Sequence, residues 1–395
     1  MSHVMNTYAR QNVAFVRGEG VWLWDEQGRK YLDALAGIAV NTLGYAHPRL
    51  TEALRRRLES GVVHTSNLWR IPDQELAADR IAEITGLDEI FFCNSGLEAN
   101  ECAIKIARKY GHDKGIAEPA IVVMEKAFHG RSLATLSATG SRKVQAGFEP
   151  LVSGFVRVPL NDLEAVRQAG ENNRSICAVM VEPIQGEGGI NVSRLEYLRG
   201  LYELCQRKGW LFISDEVQCG LGRTGKWFVY QHAGFLPDVV PLAKGLGSGV
   251  AVGACVVGGR ARGVFKPGNH GSTFGGNPLA MTAVHTTIDT MKEENLLQNA
   301  ERVGNLIQQG LRDQLGGMKG VAEVRGMGMM IGVELEEACG DLVKQALEAG
   351  LVINVTVDKV VRLLPPLVMK EAEAREVLAR LVPLVKRFIG SRVTA

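Results

Sequence analysis

Residues 212–218 read Phe212-Ile213-Ser214-Asp215-Glu216-Val217-Gln218, a short apolar run that ends in two acids. A run this apolar fits a strand buried on both faces, and acids at the carboxyl end of such a strand face the crevice where open α/β sheets bind ligands. A bare carboxylate there calls for a cationic partner. The next apolar run, Leu242-Ala243, leads into Lys244-Gly245-Leu246-Gly247. A lysine placed after an apolar run and before a glycine loop is partly desolvated, which lowers its pKa and frees the amine to attack a carbonyl.

Outward from this pair, β-branched runs alternate with helix-period stretches, the pattern of a mainly parallel sheet covered by helices on both faces. The spacing predicts strands at Glu89–Cys93, Ala120–Glu125, Phe155–Val158, Ile176–Glu182, Trp210–Ser214 and Val252–Gly258. Ser193 and Glu196 have the spacing of a capping box, and Gly209 ends the helix they would open. Past Met281 the rhythm changes. A long amphipathic helix carries Val303, Leu306, Ile307 and Leu311, short Gly-rich strands run from Val321 to Glu334, and a closing helix from Lys370 to Phe388 is interrupted at Pro383. These shifts divide the chain into 1–50, a segment that packs with a small domain, 51–280, a large domain, and 281–395, the small domain itself.

The 395 residues suit one large α/β domain with a smaller companion. A net charge of +2 is spread along the chain, and Arg55-Arg56-Arg57 reads as a solvated helix face, so no nucleic-acid partner is expected. No apolar run approaches the ~20 residues that cross a bilayer. The seven cysteines form no Cys-x-x-Cys pair, and no His, Cys, Asp or Glu cluster has metal-ligand spacing, so no metal is expected. Free thiols and the absence of an apolar signal core near Met1 point to the cytoplasm.

Lys244 and Asp215 together meet two electronic demands of pyridoxal 5′-phosphate (PLP): an amine that condenses with its aldehyde, and an anion that keeps the ring nitrogen protonated as an electron sink. Such a cofactor also brings a phosphate. Asn94-Ser95-Gly96-Leu97-Glu98 supplies a strand-to-helix turn with free amides, and Ser95 and Glu98 form a second capping box. The bland alternative, a well-capped core helix, is compatible with that role. Ala127-Phe128-His129-Gly130-Arg131 offers a ring to stack on the pyridine and a guanidinium to clamp a carboxylate. Gly220-Leu221-Gly222-Arg223-Thr224-Gly225 matches a dinucleotide fingerprint, but it is separated from its strand and followed by aromatics, and no acid lies about 20 residues beyond it. His64, His129 and His270 are scattered, and hydrolase and P-loop patterns are missing.

Read in order with Gly37-Ile38-Ala39-Val40-Asn41, Gly44-Tyr45-Ala46-His47-Pro48, Val181-Glu182-Pro183-Ile184-Gln185-Gly186-Glu187 and Gly271-Ser272-Thr273-Phe274-Gly275-Gly276-Asn277, these motifs make nearly the whole chain similar to the class III (ω-) aminotransferases of PLP fold type I. The resemblance implies a large domain with a mainly parallel sheet between helices, plus a smaller α+β domain drawn from both termini. It implies that Ser95, Gly96 and Leu97 hold the phosphate, that Phe128 stacks on the ring, and that Gln218 reaches the phenolic oxygen. Glu216 and Val217 belong to the same cofactor pocket by this likeness. Thr273 completes the phosphate cup from a partner subunit, which implies a homodimer with shared sites. Leu97 and Ala251 depart from the Thr or Ala and the Pro more usual there.

For substrates, the likeness implies that Arg131 clamps the acetylornithine carboxylate, that Arg362 takes the α-carboxylate of glutamate or 2-oxoglutarate, and that Glu187 neutralises Arg362 while an amine substrate is bound. Ser272 is grouped with them. The implied reaction moves the distal amino group of N2-acetyl-L-ornithine to 2-oxoglutarate, a step of arginine biosynthesis. Ala34 to Asn41 contains no Tyr of the kind that ornithine-specific relatives use, which favours the acylated donor. Ornithine, succinylornithine, N-succinyl-diaminopimelate and 4-aminobutyrate are the rival donors. A catalytically dead binding protein on the same fold is the rival of another kind, against which the intact Lys244 and Asp215 argue.

Overall fold

The computed structural model describes residues 3–393. Its centre is a seven-stranded sheet in the spatial order Glu89–Cys93, Gly253–Val257, Val239–Leu242, Leu211–Ser214, Ile176–Val181, Ala120–Met124, Phe155–Val158. Gly253–Val257 runs antiparallel to both neighbours, and the other strands share one direction. Strand alternation fills both faces. Ala178 and Met180 pack with Ala103, Ala107 and Tyr110 of the Gly96–Asp113 helix, while Val179 and Val181 pack with Leu198, Leu201 and Cys205 of the Leu195–Lys208 helix.

All the parallel strands deliver their carboxyl ends to one edge, so Asn94, Glu182, Asp215 and Ala243 emerge side by side. The antiparallel strand starts at that edge, with Gly253 opposite Cys93, and so brings residues 249–252 there as well. The six expected strands are present, with no end moved by more than one residue. The buried strand Val239–Leu242, which contains Pro241, was not among them. Proline lacks the N–H that a strand interior uses, but Pro241 accepts the Glu216 N–H through its carbonyl at 3.2 Å.

Two helix readings need correction. The Leu195–Lys208 helix has Arg194 at its N-cap, and Ser193 Oγ meets no partner. Asn161 Oδ1 takes the Arg194 N–H at 2.9 Å, and Pro183 O takes that of Ser193 at 3.0 Å, which sets the start one residue later. The closing helix, Glu371–Val393, runs through Pro383 without a break. Leu381, Val382, Leu384, Val385, Phe388 and Ile389 are buried on either side of the proline, whereas Pro383 and Ala379, whose carbonyl loses its partner, are exposed to water.

Strands Phe15–Glu19, Trp22–Asp25 and Lys30–Asp33 form an antiparallel meander whose last strand pairs in parallel with Leu351–Val352. Leu32 and Leu43 accordingly share a core with Val303, Ile307, Leu311, Leu351, Val377 and Leu381. A second small sheet is antiparallel, in the order Val321–Met327, Met330–Leu335, Val360–Leu363, Asn354–Thr356. The division expected at residue 280 falls inside the Pro278–Glu293 helix, which gives Met281, Val284 and Ile288 to one core and Ala283 and Met291 to the other. Among the described residues no helix is long and apolar enough to cross a membrane.

Candidate active site

At the carboxyl edge of the large sheet lies a cavity of about 430 Å³. Asp215 forms its floor, only 3% exposed. Its Oδ2 receives Asn100 Nδ2 at 2.8 Å and lies 2.7 Å from His129 Nδ1, while Oδ1 accepts the Val217 N–H at 3.1 Å. The carboxylate is thus held by three groups and, among the described residues, has no lysine or arginine within ion-pair distance, a costly arrangement unless a ligand brings positive charge.

Lys244 enters the same cavity from a short 3₁₀ turn, with a positive φ of 47° that L side chains rarely adopt. Burial pulls its amine down to about 8, against the opposing pull of the Glu187 carboxylate. A nucleophilic amine near neutrality is therefore built into the fold.

The phosphate corner is the start of the Gly96–Asp113 helix. Ser95 Oγ accepts the Glu98 N–H at 3.2 Å, as the capping box requires, but the Glu98 carboxylate takes the N–H of Asn94 instead of that of Ser95. Gly96 and Leu97, the first residues of the helix, line the cavity, and first-turn amides have no partner within their own helix. A side chain at 96 would collide with Val217, since a Cβ there would sit 2.6 Å from Cγ1. Phe128 and Arg131 also line the cavity, the guanidinium carbon 5.6 Å from the ring centroid.

Beside the cavity, Arg362 is fully buried and Glu187 meets it at 2.6 Å from Nη1. Burial pushes the Glu187 carboxyl up, but the charge and hydrogen bond of Arg362, joined by Lys244 and Gln218, together outweigh it and hold the group below the usual carboxylate range. Gln218 accepts from Arg362 Nη1 at 3.1 Å and donates to Glu187 at 3.4 Å. Arg362 Nη2 has no partner.

Lys244, Asp215, Ser95, Gly96, Leu97, Phe128, Val217, Gln218 and Arg131 thus meet around one space. Glu216 does not. Its carboxylate turns away to accept the N–H groups of Val229 and Tyr230 at 2.9 and 3.2 Å, and burial raises it to about 7. Ser272 and Thr273 lie outside the cavity wall; Ser272 Oγ accepts the Gly275 N–H, and Thr273 is exposed. The Gly220–Gly225 turn is close packing: a Cβ at Gly222 would meet Met291 at 2.6 Å.

Sequence reasoning gave no role to Asn100, His129 and Glu182. Glu182 directly follows an apolar strand, the same signal that singled out Asp215. Its Oε2 accepts the Phe128 N–H at 2.7 Å, and burial and then the neighbouring Asp215 push its carboxyl well above the ordinary range.

The donor set fits PLP. An uncompensated buried carboxylate suits a ring cation, the free helix amides suit a phosphate, the depressed lysine suits an aldehyde, and the wall between Val217 and Phe128 suits a flat ring.

The aminotransferase class-III family model matches residues 4–385 of the chain. The acetylornithine aminotransferase of Nitrosomonas europaea is 56% identical over 393 residues, 100% of each chain. Acetylornithine aminotransferase 1 of Bordetella bronchiseptica is 51% identical, with 99% of each covered. Among solved structures, the ornithine aminotransferase from Toxoplasma gondii superposes with a TM-score of 0.95 at 34% identity, covering 98% of this chain and 94% of that one. The N-acetylornithine aminotransferase from Stenotrophomonas maltophilia superposes with a TM-score of 0.84 at 31% identity, covering 97% and 98%.

Proposed function

The chain belongs to the class-III aminotransferases, PLP-dependent enzymes of fold type I, and from that premise we propose that it transfers the distal amino group of N2-acetyl-L-ornithine to 2-oxoglutarate, giving N-acetyl-glutamate 5-semialdehyde and L-glutamate in arginine biosynthesis. The observation that carries this reading is the Glu187–Arg362 pair beside the cavity, a buried guanidinium whose charge is masked by a carboxylate that is itself only partly buried. An enzyme with one acidic and one aminoalkyl substrate needs such a pair. The apolar Val40 in the cavity wall supports an acylated donor.

PLP, when bound, supplies an aldehyde carbon for the substrate amine and a ring that accepts the electrons left when the amine-bearing carbon loses its proton. The Gly96 and Leu97 amides and Ser95 would hold the phosphate, Phe128 and Val217 would bind the ring, and Gln218 would bind the phenolic oxygen. Asp215, fixed by His129 and Asn100, keeps a proton on the ring nitrogen. Lys244 Nζ would anchor the cofactor aldehyde in the resting enzyme and, once the substrate amine has displaced it, would be free to take the proton from the amine-bearing carbon. Arg131 receives the acetylornithine carboxylate. When glutamate enters, Glu187 swings aside and Arg362 Nη2 donates to the α-carboxylate.

The same reading makes 51–280 the cofactor-binding unit and 281–395 with 1–50 the small one. It makes the enzyme a cytoplasmic homodimer in which Thr273, exposed in the single chain, serves the partner's site. The test is the visible spectrum of purified enzyme against a panel of amines. The band should bleach fastest with N2-acetylornithine and return with 2-oxoglutarate. Faster bleaching by ornithine, N-succinyl-diaminopimelate or 4-aminobutyrate would overturn the donor assignment.

A further inference from the structure

Asn354 and Thr356 lie on one short strand, paired antiparallel with Val360–Leu363 so that Asn354 stands opposite Arg362. Two residues apart on a strand, their side chains share a face. Asn354 Oδ1 accepts the Arg362 Nε–H at 3.0 Å. Thr356 Oγ1 donates to the main-chain oxygen of Glu187 at 2.5 Å. One strand therefore grips both members of the Glu187–Arg362 pair, one by its side chain and the other by its backbone.

The grip continues beyond Glu187. Arg325 donates from Nη2 to Gly189 O at 2.6 Å and from Nε to Ile190 O at 3.0 Å. Val357 and Asp358, just after the strand, adopt positive φ of 45° and 63°, strained for a β-branched residue, and a Cβ on Gly189 would sit 3.0 Å from Val357 Cγ2. The backbone from 187 to 190 is thus tied at both ends. The Glu187 carboxylate is not: its partners are Arg362 Nη1 and Gln218 Nε2. If it withdraws, Arg362 stays held by Asn354 at Nε and by Gln218 at Nη1, and Nη2, unpartnered among the described residues, is left to donate to an incoming carboxylate.

We propose that the Asn354–Thr356 strand is a specificity frame: Asn354 sets the Arg362 guanidinium for the acidic substrate, and Thr356 fixes the Glu187 main chain, so that changing substrate moves one carboxylate side chain alone. The proposal rests on the reading of Arg362 and Glu187 given above. Asn354 and Thr356 are positioning residues, and they act on opposite halves of the reaction. Loss of the Asn354 acceptor lets the guanidinium tilt and harms recognition of acids. Loss of the Thr356 hydroxyl lets the Glu187 backbone drift, leaves Arg362 poorly masked and harms the amine substrate.

The experiment uses holoenzyme carrying Asn354→Leu, Thr356→Val or Thr356→Ser. Glutarate, a dicarboxylate that cannot react, is titrated by calorimetry, and each half-reaction is followed in a single turnover. Asn354→Leu should weaken glutarate and slow the glutamate half-reaction by about 10- to 100-fold, the range for a hydrogen bond to a charged group, and leave the acetylornithine half unchanged. Thr356→Val should slow the acetylornithine half and leave glutarate binding unweakened, and Thr356→Ser should restore the wild-type rate. Equal losses in both halves for either variant, or failure of Thr356→Ser to restore, would overturn the frame. An Arg362→Gln control separates the premise from the proposal. Retained glutarate binding there would remove the role of Arg362 itself, whereas glutarate lost with Arg362→Gln and kept with Asn354→Leu would reject only the frame.

Discussion

His129 Nδ1 lies 2.7 Å from Asp215 Oδ2, with the imidazole fully enclosed and its Nε2 without a partner. The ring therefore gives one directed bond to the carboxylate, which makes it a support for the residue that faces the cofactor nitrogen. His129→Leu should weaken PLP binding to apoenzyme by about 10- to 100-fold, the range for a hydrogen bond to a charged group. Titration of apoenzyme with PLP measures this, and affinity equal to wild type would reduce His129 to packing.

Lys244 carries a pH signature. Its folded value of about 8 lies below the ordinary 10.5, so between those pH values the unfolded chain binds the extra proton. The contribution of this amine to apoenzyme stability is fully present above about 10.5 and is lost as pH falls through about 8. Uptake of PLP by apoenzyme, which needs the neutral amine, should rise about tenfold per pH unit at low pH and level off above about 8. A rate that is flat between pH 6 and 9.5, measured by stopped flow, would contradict the depressed value.

Glu187→Gln keeps the shape of the side chain but removes the charge that masks Arg362. The acetylornithine half-reaction should slow by about 10- to 100-fold while the glutamate half-reaction keeps its rate. Rapid-mixing traces of the two halves decide the matter, and an equal effect on both would exclude a switch.

Much of this site could be read from the chain because its parts sit at the ends of apolar strands, where local pattern and chemistry coincide. Asp215, Lys244 and the Ser95 turn are of that kind. What escaped depends on sheet order. His129 and Asp215 are 86 residues apart, and Asn354 acquires meaning only through its register with Arg362. The strand Val239–Leu242 was obscured by Pro241, and the helix across Pro383 is set by burial on both sides of an exposed proline, a tertiary effect that no propensity records. The family likeness put Glu216 in the cofactor pocket, yet its carboxylate is taken up by the Val229 and Tyr230 amides, contacts that local sequence does not show.

Glu216 offers a stability measurement away from the chemistry. Burial lifts its carboxyl from the ordinary 4.5 to about 7, so the folded state holds the proton more tightly than the unfolded one. Its contribution is fully present below about pH 4.5 and disappears as pH rises through about 7. Glu216→Gln still offers an oxygen to the Val229 and Tyr230 amides and should remove that component from the pH profile of urea unfolding. A variant profile parallel to wild type across this window would refute the assignment.

The pairing of Leu32–Asp33 with Leu351–Val352 also sets a timetable. On the ribosome, the strands between residues 15 and 33 are made early but wait for a lateral neighbour until more than 300 further residues have emerged. The seven-stranded sheet needs nothing beyond residue 257 and can close in the meantime. The nascent protein thus carries an open sheet edge through most of its synthesis, the interval in which a chaperone has something to hold.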